Sequence, residues 1–219
     1  MPREGRGGRA GRVPLSRARV LEEAIVLLDR DGPDALSMRR LADHLGVSPM
    51  ALYNHVADKQ DLLRGVAREI IGRMAVPRDH PDWRERVKAC FRELRRVCLA
   101  HPGVVRLMET AGVAPPSVFE PMEATLEALD GIGMAPQDAL RAYFLLTNFT
   151  LGQVSYEIRG PFDDLDPMRA LGRGRPGDAG FPHVERASAA GRWDFDAAFE
   201  FGLAVVVRGL ELMERRSSR

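Results

Sequence analysis

Residues 36–63 read LSMRRLADHLGVSPMALYNHVADKQDLL. The spacing predicts two short helices joined by a tight turn, then the start of a third. Ser37 is placed to cap the first helix through its hydroxyl. Met38, Leu41, Ala42 and Leu45 recur at i, i+3, i+4 and i+7, one apolar face of a helix. Gly46 ends it, as a residue that tolerates positive φ. Ser48 caps the second helix, with Pro49 in its first turn, where a missing N–H costs nothing. There Leu52 and Val56 point one way, while Met50, Ala51, Tyr53, Asn54 and His55 cover the rest. Asp58 caps the next helix, and Asp61 three residues on gives a weak capping-box pattern.

A helix of barely two turns with so little apolar surface is poorly explained as core. It makes sense if its exposed side lies against something polar. A helix-turn-helix with its second helix in the major groove is such an arrangement; a plain helical hairpin is the bland alternative.

Met38-Arg39-Arg40-Leu41-Ala42, Leu45-Gly46-Val47-Ser48, Leu52-Tyr53-Asn54-His55-Val56 and Lys59 with Leu62-Leu63 carry a resemblance. At this fixed spacing the segment resembles the N-terminal DNA-binding domain of TetR-family transcriptional repressors. Further along, Asn148-Phe149-Thr150-Leu151-Gly152 resembles a helix of the family's tetracycline-binding member, and Phe199-Glu200-Phe201-Gly202-Leu203 its terminal helix. The resemblance runs over roughly residues 16–215.

Outward from this segment, residues 1–15 carry Arg3, Arg6, Arg9 and Arg12 among glycines and no periodic hydrophobics, the pattern of a disordered basic arm. Arg17 and Arg19 extend its charge. Such an arm either reaches phosphates and the minor groove or is a solvated tail; both readings stay open. A helix over 16–30 buries Val20, Ala24, Leu27 and Leu28 and stops at Gly32-Pro33. Another over 58–74 turns Leu62, Leu63, Val66 and Ile70 inward and links head to body. Residues 16–75 thus form the DNA-binding head. Pro77 to Pro81 break the pattern and mark a boundary.

The body, 76–219, reads as helical throughout, so the fold class is all-α. Trp83, Val87, Phe91, Leu94 and Cys98 keep the helical period up to His101-Pro102-Gly103. Short helices follow over 104–110 and 119–129. A long helix over 136–159 shows Leu140, Phe144, Thr147, Leu151 and Val154 on one face and Ala139, Tyr143 and Leu146 on the next, so more than one neighbour covers it. Gly152 within it costs about 1 kcal/mol relative to Ala, tolerable if another backbone approaches there. Residues 160–192, rich in glycine, proline and charge, read as a mobile loop in which Phe181-Pro182 is pinned by the ring. The last helix, 194–214, aligns Phe195, Phe199, Gly202, Val206, Gly209 and Met213.

With 219 residues and 45% hydrophobic content, the chain can bury one or two modest cores. Residues 1–75 hold 13 basic and 10 acidic side chains, net +3, and the remainder is net −2. That is the sign expected of a DNA-binding head on a near-neutral body. Two cysteines, Cys90 and Cys98, exclude a disulfide-built fold and argue against a metal cluster. Eight residues apart on one helix, they are too distant to bridge. They read as small buried hydrophobes, against the alternative of a redox sensor. No membrane span and no secretory signal is present, so a soluble, cytoplasmic protein is expected. No Ser/His/Asp set, metal spacing or phosphate loop appears, and His44, His55, His80, His101 and His183 are scattered, so no enzyme is expected.

The resemblance implies roles for particular residues. Arg39, at the start of the first helix of the motif, is placed to fork onto a guanine edge. Ser48 and Pro49 begin the reading helix; Met50 and Ala51 face the groove and would meet a thymine methyl. Tyr53, His55 and Lys59 would contact phosphates, and Asn54 a base or the backbone. The helices over 136–159 and 194–214 are expected to pair with their two-fold copies in a homodimer, presenting two heads to a palindromic double-stranded operator. The body would hold a small-molecule effector, and its candidate contacts are Cys90, Leu94, Leu107, Thr110, Thr125, Phe144, Asn148 and Tyr156. Leu107, Tyr156 and Cys90 stand where the tetracycline-binding member has its metal-ligating histidine, a pocket glutamate and a drug-binding asparagine. The expectation is therefore that magnesium-chelated tetracycline is not the effector, that no cofactor is needed, and that the ligand is uncharged or mainly apolar. Repression relieved by ligand is the expected action, with activation as the alternative.

Overall fold

The computed structural model describes residues 14–76, 78–111, 119–159 and 193–217, with residues 182, 183 and 186 between them. The basic arm up to residue 13, the boundary residue Pro77 and nearly all of the expected loop, Phe181 included, lie outside the described residues. Among the described residues all regular structure is helical: α1 (Arg17–Asp31), α2 (Met38–Leu45), α3 (Pro49–Tyr53), α4 (Lys59–Ile71), α5 (Trp83–Ala100), α6 (Pro102–Ala111), α7 (Phe119–Asp130), α8 (Pro136–Ile158) and α9 (Phe195–Ser217).

The helices of the head start where hydroxyl and carboxylate caps stand. Ser16, Ser37, Ser48 and Asp58 each accept a hydrogen bond from the backbone N–H three residues on. Gly46 closes α2 in the left-handed region, at φ 65°. Its N–H bonds the Asp43 carbonyl at 3.2 Å, and the Val47 N–H bonds Ala42 at 3.0 Å, the paired bonds of a Schellman end. α1 lies against both α2 and α4. Val20, Ala24, Leu27 and Leu28 are buried as the period predicts, and Leu21 and Ile25 join them.

Head and body share one continuous apolar core running from Val20 to Leu210. α6 packs on α1 and α4, and α5 lies on α7, α8 and α9. The break expected at His101-Pro102-Gly103 is narrower than the sequence implies. His101 alone leaves the helix, and Pro102 starts α6 at once. Gly103 sits so close to α1 that a Cβ would lie 2.6 Å from Leu28 Cγ. The backbone contact is possible only with no side chain there.

The long helices rotate away from two expectations. On α8 the buried residues are Ala139, Ala142, Tyr143, Leu146, Thr150 and Val154, whereas Leu140 and Phe144 face outward. On α9 the buried row is Phe199, Leu203, Val207 and Leu210, with Val206 half-buried and Met213 exposed. Helices apolar over more than one stripe do not reveal from sequence which stripe their own chain covers. Nor does a backbone approach Gly152: no atom lies within 4 Å of a Cβ built there. The close approach falls instead at Gly202, under the ring of Phe149, which stacks on Phe199 at 5.6 Å.

Candidate nucleic-acid interface and effector cavity

α3 is only five residues long, and Leu52 is its single buried side chain. Leu52 and Val56 anchor it to the core, 0% and 1% exposed. The opposite side is open: Met50 is 74% and Tyr53 48% exposed, Asn54 and the capping Ser48 and Pro49 are exposed, and Ala51 and His55 are half-buried. Arg39 and Lys59 stand exposed on α2 and at the start of α4. Neighbouring polar side chains are committed inside the head. Arg40 pairs with Asp31 at 2.9 Å and His44 with Glu23 at 2.9 Å.

The geometry of this face depends on a contact that sequence reasoning missed. Arg17, counted by charge with the N-terminal arm, is the first residue of α1 and turns inward. Its guanidinium grips Asp61 through two bonds of 2.9 Å and donates to the His55 carbonyl at 2.6 Å. Asp61 also accepts from the Ala57 N–H at 3.0 Å. One carboxylate thus ties α1 to the turn between α3 and α4. The Arg17 hydrogen bond, then the Ala57 N–H, hold the Asp61 carboxyl well below the usual carboxylate range. A forty-residue separation between partners leaves no local signal for this clamp.

Beneath the head a cavity of about 30 Å³ lies where α4 meets the body. Ile71, the last residue of α4, and Met74, three residues beyond, line it. Cys90, Phe91 and Leu94 of α5, Met108 of α6, Pro121 of α7 and Tyr143, Thr147 and Leu151 of α8 complete the lining. Of the eight candidate contacts, Cys90 and Leu94 line this cavity. Thr125 is buried behind Cys90, its Oγ1 2.8 Å from the Pro121 carbonyl and 3.7 Å from Cys90 Sγ. Leu107 is fully buried in the core away from the cavity wall. Phe144, Asn148 and Tyr156 lie on the outward face of α8 and are exposed; they do not meet the others. The Thr110 side chain lies outside the described residues. Met74, Met108, Tyr143 and Thr147 were not foreseen, because apolar residues at helical spacing look alike whether they fill a core or border a void.

Burial pushes the Cys90 thiol up to about 11 and the Cys98 thiol up to about 12. Both stay protonated at neutral pH, which argues against the redox-sensor alternative. Among the described residues no group of His, Cys, Asp and Glu is arranged to hold a metal ion, and no helix is long and apolar enough to cross a membrane.

The end of α4 is also held from outside the cavity. Arg73 Nη1 donates to His101 Nε2 at 3.0 Å, and His101 Nδ1 meets Asp29 of α1 at 2.8 Å. The Ala75 N–H donates to Glu93 at 3.1 Å, and Arg96 reaches the Arg73 carbonyl at 3.4 Å. Residues 71–75 therefore turn apolar side chains to the cavity and polar groups to α5 and to His101 beyond its end.

A short helix braced on two anchors, with an uncommitted polar face and flanking cations, defines the class: a helix-turn-helix DNA-binding protein. The comparisons agree. Residues 20–66 match the model of bacterial regulatory proteins of the tetR family, and residues 76–213 match that of the tetracyclin repressor-like C-terminal domain. The chain belongs to the TetR family of transcriptional regulators. It is 33% identical over 199 residues to an HTH-type transcriptional regulator of Saccharopolyspora erythraea, covering 90% of this chain and 84% of that one. It is 33% identical over 203 residues to the class A tetracycline repressor protein of Escherichia coli, covering 87% and 88%. Apo ActR from Streptomyces coelicolor superposes with a TM-score of 0.80 at 29% identity, covering 94% and 99%. ActR in complex with actinorhodin gives 0.76 at 30% identity, covering 92% and 99%. BioQ with its double-stranded DNA operator gives 0.66 at 27% identity, covering 90% and 98%.

Proposed function

We propose that this regulator is a homodimeric repressor whose two heads read a palindromic operator and let go when a small, uncharged and mainly apolar molecule enters the body. The open polar face of α3 carries the reading. Met50 and Ala51 enter the major groove, Arg39 forks onto a guanine, Tyr53, His55 and Lys59 hold phosphates, and Asn54 touches a base or the backbone. That BioQ is solved on its operator and ActR with actinorhodin supports both halves of this reading. Dimerisation runs through α8 and α9. Leu140, Phe144, Leu145 and Tyr156 on the first and Phe201, Val205 and Leu212 on the second leave large apolar side chains exposed, more than isolated surface hydrophobes.

The cavity supports the release step. Ile71, the last residue of the helix that ends the head, and Met74, three residues beyond it, are both cavity wall. A ligand that enlarges the cavity presses on them, shifts α4 and changes head spacing. It acts only so far as it binds the released state more tightly. Chelated tetracycline is not this ligand. No carboxylate or imidazole stands among the residues lining the cavity to hold its magnesium; tetracycline binding at micromolar concentration with magnesium would show otherwise.

The direct test is a gel-shift titration against DNA flanking the gene, at two salt concentrations. Saturable binding that resists nonspecific competitor and weakens with salt is expected. Weak binding, equal for any DNA under both conditions, would count against the reading, and Tyr53→Ala with Lys59→Ala should abolish the shift without changing helicity.

A further inference from the structure

The effector cavity has walls of hydrocarbon, thioether and ring, with no carboxylate, ammonium, guanidinium or imidazole among them. A charged ligand would find no counter-ion there. Of the polar atoms at its walls, Cys90 Sγ is engaged, 3.7 Å from both the Pro121 carbonyl and Thr125 Oγ1. Thr147 Oγ1 is different: it is buried and makes no hydrogen bond of ordinary geometry, with the Tyr143 hydroxyl as a loose polar neighbour. A threonine inside a helix ordinarily turns its hydroxyl to the carbonyl one turn back or to solvent. This one does neither. Valine has the same shape and would fill the position with no polar atom to satisfy. Thr150 Oγ1 is unpartnered, but Thr150 lies in the enclosed α8 face off the cavity, where no ligand reaches it. Position in the wall separates the two.

We propose that Thr147 is the polar anchor of the effector site, donating its hydroxyl to the carbonyl oxygen of an uncharged, largely apolar ring compound. The inference rests on the effector reading above and adds the one directional contact it lacked. Phe91 and Tyr143 supply ring surface beside the anchor, their centroids 6.0 Å apart. Met74 and Met108 also line the cavity. Their flexible thioethers can move to admit a ring that the present cavity of about 30 Å³ is too small to hold unchanged. One oxygen fixes the ring's orientation, and its apolar remainder is aimed at Met74 and so at α4.

The test uses the full-length protein with methyl-labelled methionine and a matched pair of probes. Indane and 1-indanone share one fused-ring skeleton, and only the second has a carbonyl. Affinities are read from the methyl shifts of Met74 and Met108. In the unaltered protein 1-indanone should bind roughly three- to tenfold more tightly, the effect of one net hydrogen bond. Thr147→Val should remove that preference and leave indane binding as it was; Thr147→Ser should keep it. Equal binding of the two probes, or a preference that survives Thr147→Val, overturns the anchor while leaving the cavity as a binding site. If neither probe moves either methyl at saturation, the cavity is not the effector site, and both inferences fall.

Discussion

Arg39 and Lys59 are both exposed on the head but have different expected signatures in DNA binding. Arg39→Ala removes a fork onto a base, so it should cost about 1–3 kcal/mol on the preferred operator and relax specificity at one position. Lys59→Ala removes a point charge from a phosphate. It should weaken binding evenly across sequences and lower the salt slope by about 1. Fluorescence-anisotropy titrations on operator and scrambled duplexes at several salt concentrations separate the two; a base-specific loss at Lys59 would reverse the assignment. Leu52 behaves as core. It is fully buried beneath the reading face, so Leu52→Ala should lower stability by about 2–5 kcal/mol in denaturant unfolding.

Between elements, the clamp of Arg17 on Asp61 sets the angle of α3 against α1. Because the folded state depresses the Asp61 pKa, its contribution is fully present above the unfolded value of about 4 and is lost as pH falls below it. Asp61→Asn should therefore melt at a lower temperature than the parent from pH 7 down to about 5. The gap should narrow as pH drops further, where the unfolded parent takes up a proton that the clamped carboxylate of the folded state still resists. A gap unchanged down to about pH 3 would mean that the charge is not what matters. A second contact lies at the other end of α4. Arg73→Ala cuts its link to His101. Backbone amides over 72–75 should then exchange roughly three- to tenfold faster, the loss of about 1 kcal/mol, with α3 amides unaffected.

At the scale of the whole molecule, one apolar core joins head and body, so the head is not an independent module on a string. The segment after α4 is joined to α1 through His101, which accepts from Arg73 and meets Asp29. The outward apolar faces of α8 and α9 define the surface that a second copy covers in the proposed dimer. Phe201 is 73% exposed, so Phe201→Glu should leave the protomer folded, shift the mass measured by light scattering toward the monomer, and lower operator affinity by an order of magnitude or more. A variant that stays dimeric would place the interface elsewhere.

By itself, the sequence determined what depends on neighbours along the chain. Capping residues and the glycine stop marked both helices of the motif, and the 3.6-residue period of α1, α4 and α5 named most of the core they bury. Short-range hydrogen bonds and periodicity suffice for that, and they place Leu52 and Val56 inward and Met50 and Tyr53 outward. What remained waited for tertiary structure, because it depends on residues far apart in the chain. Arg17 looked like arm charge until the fold set it against Asp61, 44 positions along the chain. Phe144 and Asn148 looked like pocket residues, and Gly152 like a point of close approach, until α8 took its rotation from α5, α7 and α9. The void beside Thr147 exists only where five helices fail to close completely, and no local pattern along the chain encodes such a failure.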